Sequence, residues 1–423
     1  MNRSQPSEFA ATRRAVFARI AREQGKRGLA HGPSPGFQSE DNTSRAGCLS
    51  PFSERHATVN GSGLGHDPAY RGSVPIRRAF LKTCGLGLAS AWLGRNALAQ
   101  SEVLPKHVTP ETLRAVIKGL DHLASTQSDD GSWIDGGGQA YPVAMTGLAG
   151  TAFLAHGNSP TRGKYAKNVQ GAVEFLVRCS TESGLLTGPG QDNGQPMHGH
   201  GFALMFLASV HGMISKEALR RQVGDAVRKA VTLTSQGQSS AGGWTYTPGS
   251  GDEGSVTVTQ VQALRAAQNA GFLVPRSVIE AASGYLEKCR TPEGGIQYSL
   301  GSGGGPRLPI SAAAVATLYN AGQFDSPIAT DCLKYVWGQF QANEGWSKGG
   351  GHDYYTHLYA SQGFYMAGDE YWDDYFPKTR DQLLALQGPD GSWSGDGIGQ
   401  VYGTAIATII LQLPYKYLPV FQR

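Results

Sequence analysis

Apolar positions fall at helical spacing through most of the chain from residue 108 onward, in two alternating kinds of segment. In Pro110 to Thr126, Leu113, Ile117, Leu120 and Leu123 share one face and charged residues fill the other, which predicts an amphipathic helix with one wetted side. The partner segments are nearly uncharged and rich in small residues, as in TGLAGTAFLAHG, ISAAAVATLYNAG and VYGTAIATIILQL. Such a helix has no face suited to water, so it is predicted to be covered on most sides. Five of these six segments end in glycine (Gly157, Gly212, Gly271, Gly322, Gly368), the usual residue at a helix C-terminus.

The alternation repeats on a fixed signal. QSDDGSW at Gln127–Trp133 recurs as QGPDGSW at Gln387–Trp393, 260 residues later. Between them lie Gly184-Leu-Leu, Gly242-Gly-Trp244, Gly294-Gly-Ile-Gln-Tyr298 and Gly345-Trp346, with successive glycines 53, 58, 52, 51 and 46 residues apart. A period of this length marks a repeat architecture. Six hairpins of an outer amphipathic helix and an inner covered helix predict an all-α fold, an (α/α)6 toroid spanning residues 100–423. The glycine is expected to let the chain turn, Trp133 and Trp393 to pack into seams between repeats, and Gln127 and Gln387 to bind helix-end carbonyls.

Gln-x3-Gly-x-Trp after an amphipathic helix resembles the repeat of squalene and oxidosqualene cyclases, whose toroid is shared by protein prenyltransferase β subunits. The resemblance covers residues 108–423. YYTHLYASQGFYMAG, RDQLLALQGPDGSW and the tail PYKYLPVF further resemble exported bacterial prenyltransferase/squalene oxidase repeat proteins. It implies a terpenoid-cyclase-type toroid that takes a hydrophobic small molecule or lipid in a central cavity. The chemistry of those families does not carry over with it. A protonating cyclase uses Asp-x-Asp-Asp, which is absent; the acidic run Asp369-Glu370-Tyr371-Trp372-Asp373-Asp374 falls at the start of an outer helix, where acids serve as caps. The prenyltransferase zinc site needs an Asp-x-Cys pair, and the segment Ile310 to Ala321 has none. At Asp353 to His357 the family's ligand position falls on Thr356.

Composition divides the chain. Residues 1–99 carry 14 Lys+Arg and 6 Asp+Glu, whereas residues 100–423 carry 23 and 27. The body is therefore mildly acidic and has no nucleic-acid footprint. The basic part contains Arg77-Arg78-Ala79-Phe80-Leu81-Lys82, an apolar run from Thr83 to Gly94, and Ala97-Leu98-Ala99. These resemble, in order, a twin-arginine export signal and its cleavage site. Residues 76–99 are thus expected to be a signal peptide delivering the protein to the periplasm or another extracytoplasmic space. Residues 1–75, rich in Ser, Gly, Pro and Arg, read either as a disordered leader or as a start codon placed too early. Cleavage removes Cys48 and Cys84 and leaves Cys179, Cys289 and Cys332, without a CxxC spacing; buried free thiols are expected.

In such a toroid the starts of the inner helices gather at one rim, and their dipoles favour an anion there. The candidate residues at those starts are Tyr141, His198, His200, Asp252, Glu253, Ser311, Asp353, Tyr354, Tyr355, His357, Gln400 and Tyr402. Asp353 and His357 are expected to face the cavity, flanked by Tyr354 or Tyr355, and to converge there with His198 and His200; these four are the catalytic candidates. Tyr141, Tyr354, Tyr355, Gln400 and Tyr402 are the substrate-binding candidates. No cofactor is required, though His198-Gly-His200 is a spacing that binds a divalent metal. Three functions are consistent with this reading. The leading one is an isoprenoid- or lipid-binding toroid, with contact to a membrane surface. The others are a carbohydrate-active enzyme with two carboxylates across a groove, and a non-catalytic scaffold.

Overall fold

The computed structural model describes residues 104–135, 141–188, 194–343 and 352–423. The leader, the export signal with Arg77 and Arg78, Cys48, Cys84 and the fifth glycine–aromatic pair (Gly345, Trp346) lie outside the described residues.

Twelve α-helices occur among the described residues, in six hairpins. The outer helices are α1 (Pro110–Ser125), α3 (Ala166–Arg178), α5 (Glu217–Gln236), α7 (Arg276–Lys288), α9 (Pro327–Ala342) and α11 (Asp369–Leu386). The inner helices are α2 (Pro142–Ala155), α4 (Met197–Val210), α6 (Gly254–Asn269), α8 (Leu308–Asn320), α10 (Asp353–Ala367) and α12 (Gln400–Gln412). Inner helices pack side by side in chain order, and α12 packs back on α2, which closes the ring. The fold is an α/α toroid. The covered character of the inner helices is borne out: every residue of α2 is buried, and α12 is buried from Val401 to Gln412. Small residues set the spacing, since a Cβ at Gly147 would lie 2.7 Å from the backbone of Phe202 on α4.

The repeated motif is a staple between successive repeats. Gln127 Nε2 donates to the carbonyl of Gly131 (2.8 Å) and to that of Asn168 in the next outer helix (3.0 Å). Gln238 joins Gly242 to Val278 in the same way (both 2.8 Å), and Gln387 joins Gly391 to Ala115 (both 2.9 Å). The carbonyls bound are those of the motif's own turn and of the next outer helix, not the end of the preceding helix. Gly131 has φ +88°, and a Cβ there would meet the Gly171 carbonyl oxygen at 2.3 Å; the left-handed turn and the close approach both require glycine. Trp133 and Trp393 are fully buried, and their Nε1 groups donate to the carbonyls of Leu123 and Leu383, each at 2.7 Å.

Four of the five expected terminal glycines (Gly157, Gly271, Gly322, Gly368) have positive φ. Gly212 differs: it sits in a 3-10 turn, His211–Met213. Cys179, Cys289 and Cys332 are buried thiols that are not joined in disulfides, as expected. Past α12 the tail forms two short turns, Leu413–Tyr415 and Pro419–Phe421. Leu418, Val420 and Phe421 are buried, and the second turn packs against α6. The tail therefore crosses the end of the ring where the inner helices finish. The opposite end, where they start, is called the mouth here.

Candidate functional site at the mouth

Below the mouth the inner helices are buried almost throughout. Two hydrogen bonds cross the ring from α10 to α6, helices that α8 separates. Gln262 Nε2 donates to Gln362 Oε1 (2.5 Å), and the Tyr355 hydroxyl donates to the Ser255 carbonyl (3.1 Å). In the first turns of their helices, His198, Ser255, Asp353, Tyr355 and Gln400 stay partly accessible.

One side of the mouth is organised by Glu253. It is buried, precedes α6, and accepts from the backbone N–H groups of Ser255 (3.0 Å) and Val256 (2.6 Å). The Ser255 hydroxyl donates to the same carboxylate (2.7 and 2.8 Å). With that proton committed, Ser255 Oγ accepts from His198 Nε2, 3.3 Å away. Burial pushes the Glu253 carboxyl up, and these hydrogen bonds only partly oppose it. Burial also pushes His198 down to about 4, so its imidazole is neutral at pH 7. The hydroxyls of Tyr246 and Tyr298 meet at 2.6 Å beside Glu253.

The other side is aromatic. Tyr355 meets Tyr359 edge-on with ring centroids 4.8 Å apart, and the Tyr402 hydroxyl donates to Asp396 Oδ2 (3.3 Å). Burial holds Tyr355, Tyr359 and Tyr402 above the ordinary phenol range, and the Asp396 charge adds to this for Tyr402. Asp396 caps α10 from the last repeat, accepting the N–H groups of Tyr354 and Tyr355 (3.0 Å each). Asp135 caps α12 likewise, accepting from Tyr402 N–H (2.9 Å). Carboxylates thus already occupy the starts of α6, α10 and α12. The expectation that these helix dipoles offer an anion site is corrected there, because the charge they favour is supplied by the protein.

The four catalytic candidates do not converge. His200 is fully buried in the seam between inner and outer helices. Its Nδ1 accepts from Leu186 N–H (3.1 Å) and its Nε2 donates to Thr234 Oγ1 (2.9 Å). In other repeats the same backbone N–H goes to a hydroxyl: Trp133 to Thr146, Trp244 to Thr257, Ile296 to Ser311 and Trp393 to Thr404. His200 and Ser311 are therefore members of a structural series. His357, on the matching turn of α10, is buried with Nδ1 2.7 Å from the Tyr375 hydroxyl on outer helix α11. It faces the seam, not the cavity. Asp353 opens α10 and is half-buried; Tyr354 is buried behind it. Tyr141 precedes α2, half-buried, and Gln400 is exposed, donating to the Ser392 hydroxyl (3.1 Å). His198 and His200 have different partners on different sides of α4, so they do not form a chelating pair. Among the described residues no three His, Cys, Asp or Glu side chains gather to hold a metal. The acidic run of α11 has structural partners: Asp369 and Asp373 bind Lys106, and Asp374 binds Lys378.

Sequence reasoning missed Asp135, Tyr246, Tyr298 and Ser255. The first three share a signal: each stands two residues after the buried Trp133, Trp244 or Ile296. In an extended segment, successive residues point to opposite sides and residues two apart share one, and Trp244 does bridge Glu253 as a strand residue does.

No family profile matches the chain, and no characterised protein matches it in sequence. Solved structures match in fold. The type II terpene cyclase MstE from Scytonema, without ligand, is 16% identical with a TM-score of 0.51, over 73% of this chain and 100% of that one. A variant of it bound to its substrate, geranylgeranyl dihydroxybenzoate, is 16% identical with a TM-score of 0.50, over 73% and 98%. An inactive variant of the α-1,6-mannanase GH76A of Salegentibacter, bound to α-1,6-mannotetrose, is 9% identical with a TM-score of 0.52, over 72% and 98%. The chain shares the α/α toroid with both kinds of protein.

Proposed function

We propose that the mouth binds an uncharged, largely apolar molecule that bears a hydroxyl or carbonyl head, an isoprenoid-type lipid, and that the protein does so outside the cytoplasm. The observation that carries this reading is the mouth's lining: His198, Tyr246, Tyr298, Tyr355 and Tyr402 offer polar atoms that carry no charge at neutral pH. Such groups hydrogen-bond a neutral head while the ring faces accept apolar surface. Two apolar side chains border it, Ile134 (56% exposed) beside the Asp135 cap and Leu300 (44%) beside Asp252. The packed interior confines the ligand to the mouth. MstE, a protein of the same fold, holds a geranylgeranyl compound. The extracytoplasmic site rests on the Arg77-Arg78 signal in the sequence.

A carbohydrate reading is supported by one feature: the Tyr355–Ser255 bond draws together the first turns of α10 and α6, which begin at Asp353 and just after Glu253. Against it, Glu253 is already bound by Ser255 and Val256. Titration with geranylgeraniol and with α-1,6-mannotriose, read by intrinsic fluorescence, separates the two. Saturable quenching by the prenol alone, weakened by Tyr355→Ala, supports the lipid reading. Saturation by the trisaccharide alone overturns it.

A further inference from the structure

The helices alternate in direction, so every inner-to-outer connection lies at the end of the ring opposite the mouth. In connections 156–165, 211–216, 270–275 and 321–326 and in the tail 413–423 there are five Lys+Arg and one Asp. At the mouth end, the described loops 126–135, 179–188, 194–196, 237–253, 289–307 and 387–399 hold nine Asp+Glu and two Lys+Arg. The body is acidic overall, yet these loops are polarised in charge along the ring axis; the remaining connection, at Gly368, leads into the exposed Asp369 and Glu370, of which Asp369 is paired with Lys106. The basic end also exposes large apolar side chains: Leu273 (95%), Tyr417 (53%) and Met213 (38%). They are not scattered. His211 and Phe272 meet edge-on at 5.0 Å, which joins the connection bearing Met213 to the one bearing Leu273. The Tyr417 ring lies against Gly157 of the first connection. Arg162, Lys216 and Lys416 are exposed among them.

We propose that this end of the toroid docks on the surface of an anionic lipid bilayer, with Leu273, Met213 and Tyr417 entering the interface and the lysines and arginine facing the headgroups. Apolar side chains standing among cations are what an interfacial surface needs, and each cation near an anionic leaflet adds to the attraction. No described helix is long and apolar enough to cross a membrane, so the contact is made by these connections. The mouth then points away from the bilayer, toward its ligand. The proposal stands independently of what the mouth binds.

The test is co-sedimentation of the full chain with vesicles of phosphatidylcholine alone or with phosphatidylglycerol. The full chain is expected to bind the phosphatidylglycerol vesicles only, and less at high salt. Leu273→Asp with Met213→Asp, at exposed positions that leave the fold intact by circular dichroism, is expected to weaken binding about tenfold or more; Lys216→Glu with Lys416→Glu is expected to do the same. Because the segment 1–99 is itself basic, the variants decide the matter. Binding that neither pair reduces, binding that the charge reversals alone reduce, or no binding at all overturns the proposal.

Discussion

Gln387 in the last repeat donates to the carbonyl of Ala115 in the first outer helix at 2.9 Å, across 272 residues. It is the same bond that Gln127 makes to Asn168 between adjacent repeats, so the ring closes with the device that builds it. Gln387→Ala removes one partner from a half-buried carbonyl pair and should cost about 1–2 kcal/mol. Gln127→Ala should cost a similar amount, measured by urea unfolding of the two variants. A negligible loss at Gln387 alone would mean that the ring closes by other contacts.

Trp133 and Trp393 share a fully buried environment and the same two hydrogen bonds. Replacing either with Ala should destabilise by about 3–5 kcal/mol, as truncation of a large core side chain does. Equal losses at the two sites, read by denaturant unfolding, are the expected sign that they do one job.

Asp396 has φ +50° and caps α10 from another repeat. Asn tolerates that backbone geometry, but it lacks the charge that the helix start favours. Asp396→Asn should cost about 1 kcal/mol or less and Asp396→Ala more, because Ala loses the acceptor and strains the turn. Thermal melts of the two variants order them.

Burial depresses three histidines, His198 and His200 to about 4 and His357 to about 3. The unfolded chain takes up their protons near pH 6.5, before the folded chain does. Stability is therefore full above about pH 6.5 and falls as the pH drops toward 4, by on the order of 3 kcal/mol for each group. Urea midpoints at pH 7 and pH 5 measure this. His200→Ala and His357→Ala should each remove part of the pH dependence and lower stability at pH 7, because both rings bind partners in the seam.

The architecture was legible because it rests on pattern. Gln127, Gly131 and Trp133 repeat at fixed spacing, and the contrast between charged and uncharged helices assigns outside and inside. The site was less legible, because it rests on direction. His198 and His200 look alike as neighbours of glycine, yet a turn of two residues along α4 sends one to the mouth and the other to Thr234. His357 looked like a cavity residue because Asp353 shares its face; the tyrosine that binds it, Tyr375, comes from the next helix. Glu253 read as a ligand group in sequence, whereas in the structure it caps the start of its own helix, and Asp135 and Asp396, which the sequence did not single out, cap helices of other repeats.

The claim that the mouth is the binding site is tested most directly by covalent mapping. A geranylgeraniol analogue carrying a diazirine at its hydroxyl end is photolysed with the protein and the labelled peptides are sequenced. Labels that unlabelled prenol displaces are expected near His198, Tyr246–Ser255, Tyr298, Tyr354–Tyr359 and Tyr402. Displaceable labels confined to the outer helices or to the connections at the basic end, or no displaceable label at all, would contradict it.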